Sequence, residues 1–210
     1  MSKKTLPSQE ERQNVLEQVI DHVISTDFTS IENYVDKLRK QNPGISCDRL
    51  AKKITSRKAI KNGLVGAATG LGGFTTLIPA TLADVASSWR IQVSMAFSIA
   101  YVYGHTTDTT DLKTDLFLIL AGDSAKEALK RVSIEVSKSM TKKAVEKYIT
   151  RDMMVKIWKV VGQKIITKAG EKSLLSFIKM VPLIGAPIGF FFDWTSARIV
   201  GKVAITYYRG

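Results

Sequence analysis

GLVGAATGLGGFTTLIPATLA, residues 63–83, decides how this chain folds. The stretch holds 21 residues, five of them glycine, and no charge. About 20 apolar residues suffice to cross a bilayer, yet the small residues and threonines here are unusual for a lipid anchor. Five basic residues stand before it, Lys52, Lys53, Arg57, Lys58 and Lys61, and Asp84 closes it. A shorter segment at 180–192, MVPLIGAPIGFFF, repeats the theme and is closed by Asp193. Each segment has a GxxxG pattern, Gly66 with Gly70 and Gly185 with Gly189. Missing side chains at that spacing let helix backbones approach closely. The two segments are therefore expected to lie against each other or against a shared neighbour. In both, a proline, an aspartate, a tryptophan (Trp89, Trp194) and an arginine (Arg90, Arg198) follow, which reads as a degenerate internal repeat.

Outward from these segments the pattern is helical. Val15, Leu16, Val19, Ile20, Val23 and Ile24 recur at helical spacing after a capping-box pair, Ser8 and Glu11, so a helix is expected over 9–25. Thr29 with Glu32 repeats the pair before a helix that Asn42-Pro43-Gly44 stops near 41. Ser46 can cap a third helix that carries the basic group toward residue 63. A break is expected at Leu71-Gly72-Gly73 and a kink before Pro79. Residues 85–103 read as a helix apolar nearly all round, ended by Gly104 and therefore buried in protein or lipid. Helices follow over 109–121, with Leu112, Leu116, Ile119 and Leu120 inward, within 124–149, over 152–169 and over 172–180. Pro182, Gly185, Pro187 and Gly189 interrupt the pattern, and a last helix is expected from Asp193 to about Tyr208. No run has the two-residue alternation of a strand. The expectation is all-α, with at least seven helices and two Gly-rich apolar helical hairpins packed together. Residues 1–50 would supply N-terminal amphipathic helices and 51–210 the main helical domain, the two forming one continuous domain.

The chain has 210 residues, 31 Lys+Arg and 19 Asp+Glu, for a net charge of +12. Residues 1–50 carry seven basic and eight acidic side chains, so residues 51–210 hold the whole excess, +13. Basic charge beside apolar sequence suits an anionic bilayer; basic charge alone would also suit nucleic acid. One cysteine, Cys47, excludes an internal disulfide. The N-terminus is polar and does not read as a signal peptide, which favours a cytoplasmic protein peripheral to the inner membrane.

No zinc motif, G-x-S-x-G or Walker A sequence is present, and the glycines of 63–73 do not make a dinucleotide fingerprint. No cofactor or metal is expected. Asp84 and Asp193 are the polar residues to single out. Each follows an apolar run and can cap the helix it opens. A second reading pairs them, with His105 and Asp108 nearby, as a polar site.

Several motifs carry a resemblance. GLVGAATGLGGF, LIPATLAD, IAYVYG, LAGDSAKEALK, VGQKIITKAGEK and KMVPLIGAPIGFFFDWTSARIVGKVA lie in order between about Ile54 and Ala204. In them the chain resembles the EcsC family of bacterial proteins, named from a component encoded beside an ABC transporter. The last motif is the most specific, because its glycines, prolines, lysines and aspartate fall in the expected order. The match departs at His105, where the family usually has tyrosine followed by aspartate; Asp108 is near. The resemblance implies an all-helical protein of unsettled activity, with membrane or transporter association the usual suggestion.

Three functions are weighed. The first is a non-enzymatic membrane-associated or lipid-binding protein. Lys52, Lys53, Arg57, Lys58 and Lys61 would meet anionic head groups, and the segments of Gly66, Gly70, Gly185 and Gly189 would insert or line a cavity for an acyl chain. A transporter or other membrane protein is a further expected partner. The second is a hydrolase or transferase acting on a lipid or peptide through Asp84, Asp193 and His105, which requires those groups to converge. The third is nucleic-acid binding by the basic helices of 124–172, disfavoured because few aromatics interleave with the charges. Oligomeric state is not legible. Residues 63–83 are not expected to span a membrane. Their interior glycines and Pro79 would leave backbone groups unsatisfied in lipid, and Asp84 and Arg90 flank the return helix.

Overall fold

The computed structural model describes residues 27–71, 79–105, 115, 116, 118, 119, 141–148 and 182–210. Five helices run through them: α1 (Phe28–Lys40), α2 (Cys47–Leu71), α3 (Pro79–Val102), α4 (Lys142–Tyr148) and α5 (Pro182–Arg209). No strand occurs among the described residues, and the fold is all-α. The helices expected over 9–25, 152–169 and 172–180 lie outside the described residues, as does Asp108.

Local chemistry sets most boundaries. α1 opens at Asp27, whose carboxylate accepts a bond from Ser30 Oγ (2.6 Å), so Thr29 lies inside the helix and not at its cap. Gly44, at φ 76°, turns the chain after α1. Ser46 caps α2, its hydroxyl accepting from the Arg49 N–H at 3.4 Å. α3 ends in a Schellman motif. Gly104 takes φ 82°, His105 N–H bonds the Ala100 carbonyl at 3.1 Å, and Gly104 N–H bonds the Tyr101 carbonyl at 3.1 Å.

Two boundaries differ from the sequence reading, for one reason. α3 begins at Pro79 and α5 at Pro182, each well ahead of its aspartate. Proline suits the first helical position, where its fixed φ is preorganised and its missing N–H would have no partner anyway. Asp84 and Asp193 are consequently interior helix residues, and neither caps a helix. Pro187 does not break α5, although it lies inside it. So close to the helix start, its missing donor costs one backbone bond.

α2 and α5 form the centre of the molecule, and α3 packs across both. Residue numbers rise along α2 as those of its contacts fall along α5, from Thr55 with Gly201, through Asn62 with Asp193, to Gly66 with Gly189. The pair is antiparallel. Among the described residues α3 supplies the largest share of the core, with Val93, Met95, Ala96, Phe97, Ile99, Ala100 and Val102 all buried. Val35 and Leu38 close the core from α1, and Leu116, Leu118 and Ile119 from the helical residues near 115. Burying a side chain of this size contributes ~1.5–3 kcal/mol. No helix among the described residues is long and apolar enough to cross a membrane. The stretch 63–83 is divided between the end of α2 and the start of α3.

Candidate functional site

The two Gly-rich segments meet. A Cβ added at Gly66 would collide with the Gly189 carbonyl oxygen and lie 2.7 Å from Asp193 Oδ2. One added at Gly189 would collide with the Gly66 carbonyl. Backbone touches backbone here, and only glycine permits that. A Cβ at Gly63 would meet the Phe190 ring at 2.8 Å, and one at Gly201 would meet Thr55. Gly189, Asp193, Ala197 and Gly201, four residues apart, therefore line one face of α5. Opposite, α2 presents Thr55, Ala59, Asn62 and Gly66.

One polar pair sits in this seam. Asn62 is fully buried and its Nδ2 donates to the Asp193 main-chain carbonyl at 2.9 Å. That bond satisfies part of a buried amide, while Asn62 Oδ1 and Thr195 Oγ1 have no hydrogen-bond partner. Asp193 thus lies at the crossing of α2 and α5. Gly70 and Gly185 both fall within the helices.

The outer faces of the same two helices are unusual. Ile60 and Leu64 on α2 are 51% and 59% exposed, and Phe191 and Phe192 on α5 are 64% and 66% exposed. Arg57, Ile60, Lys61 and Leu64 recur at three- and four-residue spacing, so cations and apolar side chains alternate along one exposed stripe of α2. On α5, Arg198 lies over the Trp194 ring at 4.8 Å, and Phe191 packs against the same ring at 5.9 Å. The five basic residues before the glycine stretch differ in their surroundings. Lys52, Arg57 and Lys61 are exposed. Lys53 bonds Asn42 Oδ1, and Lys58 turns inward, donating from Nζ to Ser94 Oγ at 2.8 Å.

The opposite end of α5 is polar and buried. Asp115, 3% exposed, accepts from Tyr207 Oη at 2.6 Å, from Tyr208 Oη at 3.4 Å and from Lys142 Nζ at 3.2 Å. Burial first, then the Asp115 charge, pushes the Tyr208 phenol well above its ordinary range. His105 Nε2 lies 2.7 Å from the Tyr208 carbonyl, and its ring packs on Tyr208 at 5.2 Å. A carbonyl only accepts, so Nε2 carries the proton and His105 is a chain anchor. Beside it, Asp48 at the start of α2 accepts from Tyr103 Oη at 2.7 Å and from Arg209 at 3.0 Å. Those two bonds, Tyr103's first, hold the Asp48 carboxyl below its usual value.

His105 and Asp193 are accordingly not brought together. His105 docks at Tyr208, which lies fifteen residues beyond Asp193 on one continuous helix, or roughly 22 Å along its axis. Asp84 lies near the start of α3, whereas His105 follows its end. Asp115 escaped the sequence reading. Its position three residues after Leu112 and four before Ile119, on the inward stripe of that helix, is the signal that would have exposed it. A carboxylate there is buried by its own periodicity and requires partners.

No curated protein and no solved structure matches the chain significantly. The model of the EcsC protein family matches residues 3–210, including the glycine crossing, the exposed stripe and the buried Asp115 cluster, and the chain belongs to that family.

Proposed function

We propose that this protein is a non-enzymatic, peripheral membrane-surface protein that docks on an anionic leaflet through the exposed flanks of α2 and α5. The observation that carries the reading is the alternation of Arg57, Ile60, Lys61 and Leu64 along one exposed stripe, with Phe191 and Phe192 exposed on the helix packed beside it. Large exposed apolar side chains at solvent cost free energy unless a partner covers them. The cations between them choose a negatively charged partner. Each Lys or Arg near a charged bilayer contributes ~1 kcal/mol, and a shallow apolar insertion adds to it. The anionic inner leaflet suits this charge. The glycine crossing gives the surface a rigid base, because helices in backbone contact cannot slide without collision.

Sedimentation with vesicles tests this. The protein is expected to pellet with phosphatidylglycerol-containing vesicles and to remain in the supernatant with phosphatidylcholine alone. The double variant Arg57→Glu, Lys61→Glu is expected to lose at least roughly tenfold in anionic-vesicle affinity at low salt. Leu64→Asn is expected to weaken binding less, and to do so at low and high salt alike. Equal binding by wild type and the charge-reversed variant would rule this surface out. Retention of the protein in carbonate-washed membranes would show insertion instead of peripheral docking.

A further inference from the structure

Lys58 is the odd member of the basic group. It lies half-buried where α1, α2 and α3 meet. Its Nζ donates to Ser94 Oγ of α3 at 2.8 Å and stands 4.9 Å over the Tyr34 ring of α1. Among the described residues no carboxylate pairs with it. Its charged neighbours are Arg57, which also reaches Tyr34, and Lys61, both on α2. A lysine withdrawn from water ordinarily has an acidic partner; here, among the described residues, three cations gather and no anion.

Donors are also left over. Nζ has three protons and gives one to Ser94. The Ser94 hydroxyl accepts that bond and keeps its own proton to give. Lys61 stands three residues after Lys58, and Arg57, its chain neighbour, reaches the Tyr34 side chain over whose ring Lys58 stands, so both charges lie close to the Lys58 amine. An arginine fork suits a tetrahedral oxyanion. Three positive charges are better matched by a dianion than by a carboxylate.

We propose that Lys58, with Ser94 behind it and Arg57 and Lys61 at its rim, is a binding site for a phosphate dianion, either a terminal phosphomonoester or free phosphate. The site shares Arg57 and Lys61 with the membrane surface and rests on that reading only for a lipid source of the phosphate. Burial and the Lys61 charge lower the Lys58 amine from 10.5 to about 8. A bound anion reverses that shift, because an opposite charge favours the protonated form. Binding therefore weakens as pH rises through about 8. Of the groups facing Lys58, Tyr34, Arg57 and Lys61 are ionisable, and Ser94 of α3 is not.

The test titrates the full chain with inorganic phosphate by calorimetry at pH 7 and pH 9, for wild type, Lys58→Met, Ser94→Ala and the exposed control Lys37→Met. Wild type and Lys37→Met are expected to bind one equivalent, more weakly at pH 9. Lys58→Met is expected to lose roughly tenfold or more, the scale of one charged hydrogen bond, and Ser94→Ala a smaller factor. Far-UV circular dichroism confirms folding, and the lysine side-chain resonances of wild type give the same answer without a variant. One of them is expected to titrate near 8 and move upward with phosphate. Absence of saturable phosphate binding, or equal binding by Lys58→Met and Lys37→Met, overturns the proposal. Phosphatidic acid vesicles that displace free phosphate identify a lipid source. Vesicles that do not displace it leave the free ion as the ligand, and the site stands. Phosphate binding through Lys58 without any vesicle binding keeps the site and ends the membrane reading. Vesicle binding unchanged in Lys58→Met, with no phosphate binding, does the opposite.

Discussion

The antiparallel pair of α2 and α5 is held differently at its two ends. At Gly66 and Gly189 the helices touch through bare backbone, and the flanking surface carries exposed Phe191, Phe192 and Leu64. At Tyr207 and Tyr208 the largest side chains of the core fill the space, and a buried carboxylate organises their hydroxyls. One end is fixed by the absence of side chains and leaves its outer face open. The other is fixed by satisfied polar groups and closes on itself. A close crossing of bare backbone, pinned by the one bond from Asn62 to the Asp193 carbonyl, gives rigidity without drawing on the outer side chains, so the surface beside it stays free to bind.

Asp115→Ala is expected to be the most damaging change, because it removes the buried carboxylate to which Tyr207, Tyr208 and Lys142 all donate. A loss of about 3–5 kcal/mol is the scale for breaking one partner of a buried pair. Chemical denaturation measures it, and a loss below about 1 kcal/mol would mean that the tyrosine end is held by packing alone.

At the glycine end, Gly66→Ala and Gly189→Ala should each cost ~1–3 kcal/mol or more, since the new Cβ meets backbone that cannot step aside. Gly63→Ala should cost less, because its closest contact is the Phe190 ring and the nearest backbone atom, the Phe190 carbonyl oxygen, stands farther off at 3.0 Å. Equal losses at positions 63 and 66 would show that the two helices move apart readily, and the rigid base would fail.

The smallest expected effect is at Lys58, and its sign is opposite. The folded amine titrates near 8 and the unfolded one near 10.5. Below about 8 both states are protonated, and the folded state bears the full cost of the withdrawn charge. Between 8 and 10.5 the unfolded state binds the extra proton, so wild-type stability rises with pH across that window. Lys58→Met should thus unfold at a slightly higher temperature than wild type at pH 7, with the gap closing by pH 10.5. A residue that destabilises the fold while binding an anion is the usual trade at a functional position. A variant less stable than wild type at pH 7 would instead assign Lys58 a packing role over Tyr34.

The sequence revealed the glycine end better than the tyrosine end. Small residues at fixed spacing have one main structural use, so Gly66 and Gly189 could be paired from their pattern. Ser46 and Gly104 were legible as cap and stop because their chemistry is local. The aspartates misled for a related reason. Asp84 and Asp193 look like caps beside apolar runs, but Pro79 and Pro182 had already opened the helices upstream. The Asp115 cluster joins residues about a hundred positions apart, and no local pattern announces which hydroxyl will reach which carboxylate. Lys58 looked like its neighbours in sequence; only the meeting of three helices turns it inward.

Asn62 and its partner Asp193 are 131 residues apart in the chain. At cellular synthesis rates the ribosome needs roughly ten seconds to make the intervening polypeptide. During that interval the glycine face of α2 has no helix to receive it, and its stripe of small and apolar residues stays uncovered on the nascent chain. Closing so long a loop is also slow after release. This fold therefore passes through a period in which the sequence that later makes its tightest joint is its most aggregation-prone segment. Pulse-labelled nascent chains arrested before residue 182 should be held by chaperones or attached to membranes, and chains that include α5 should not.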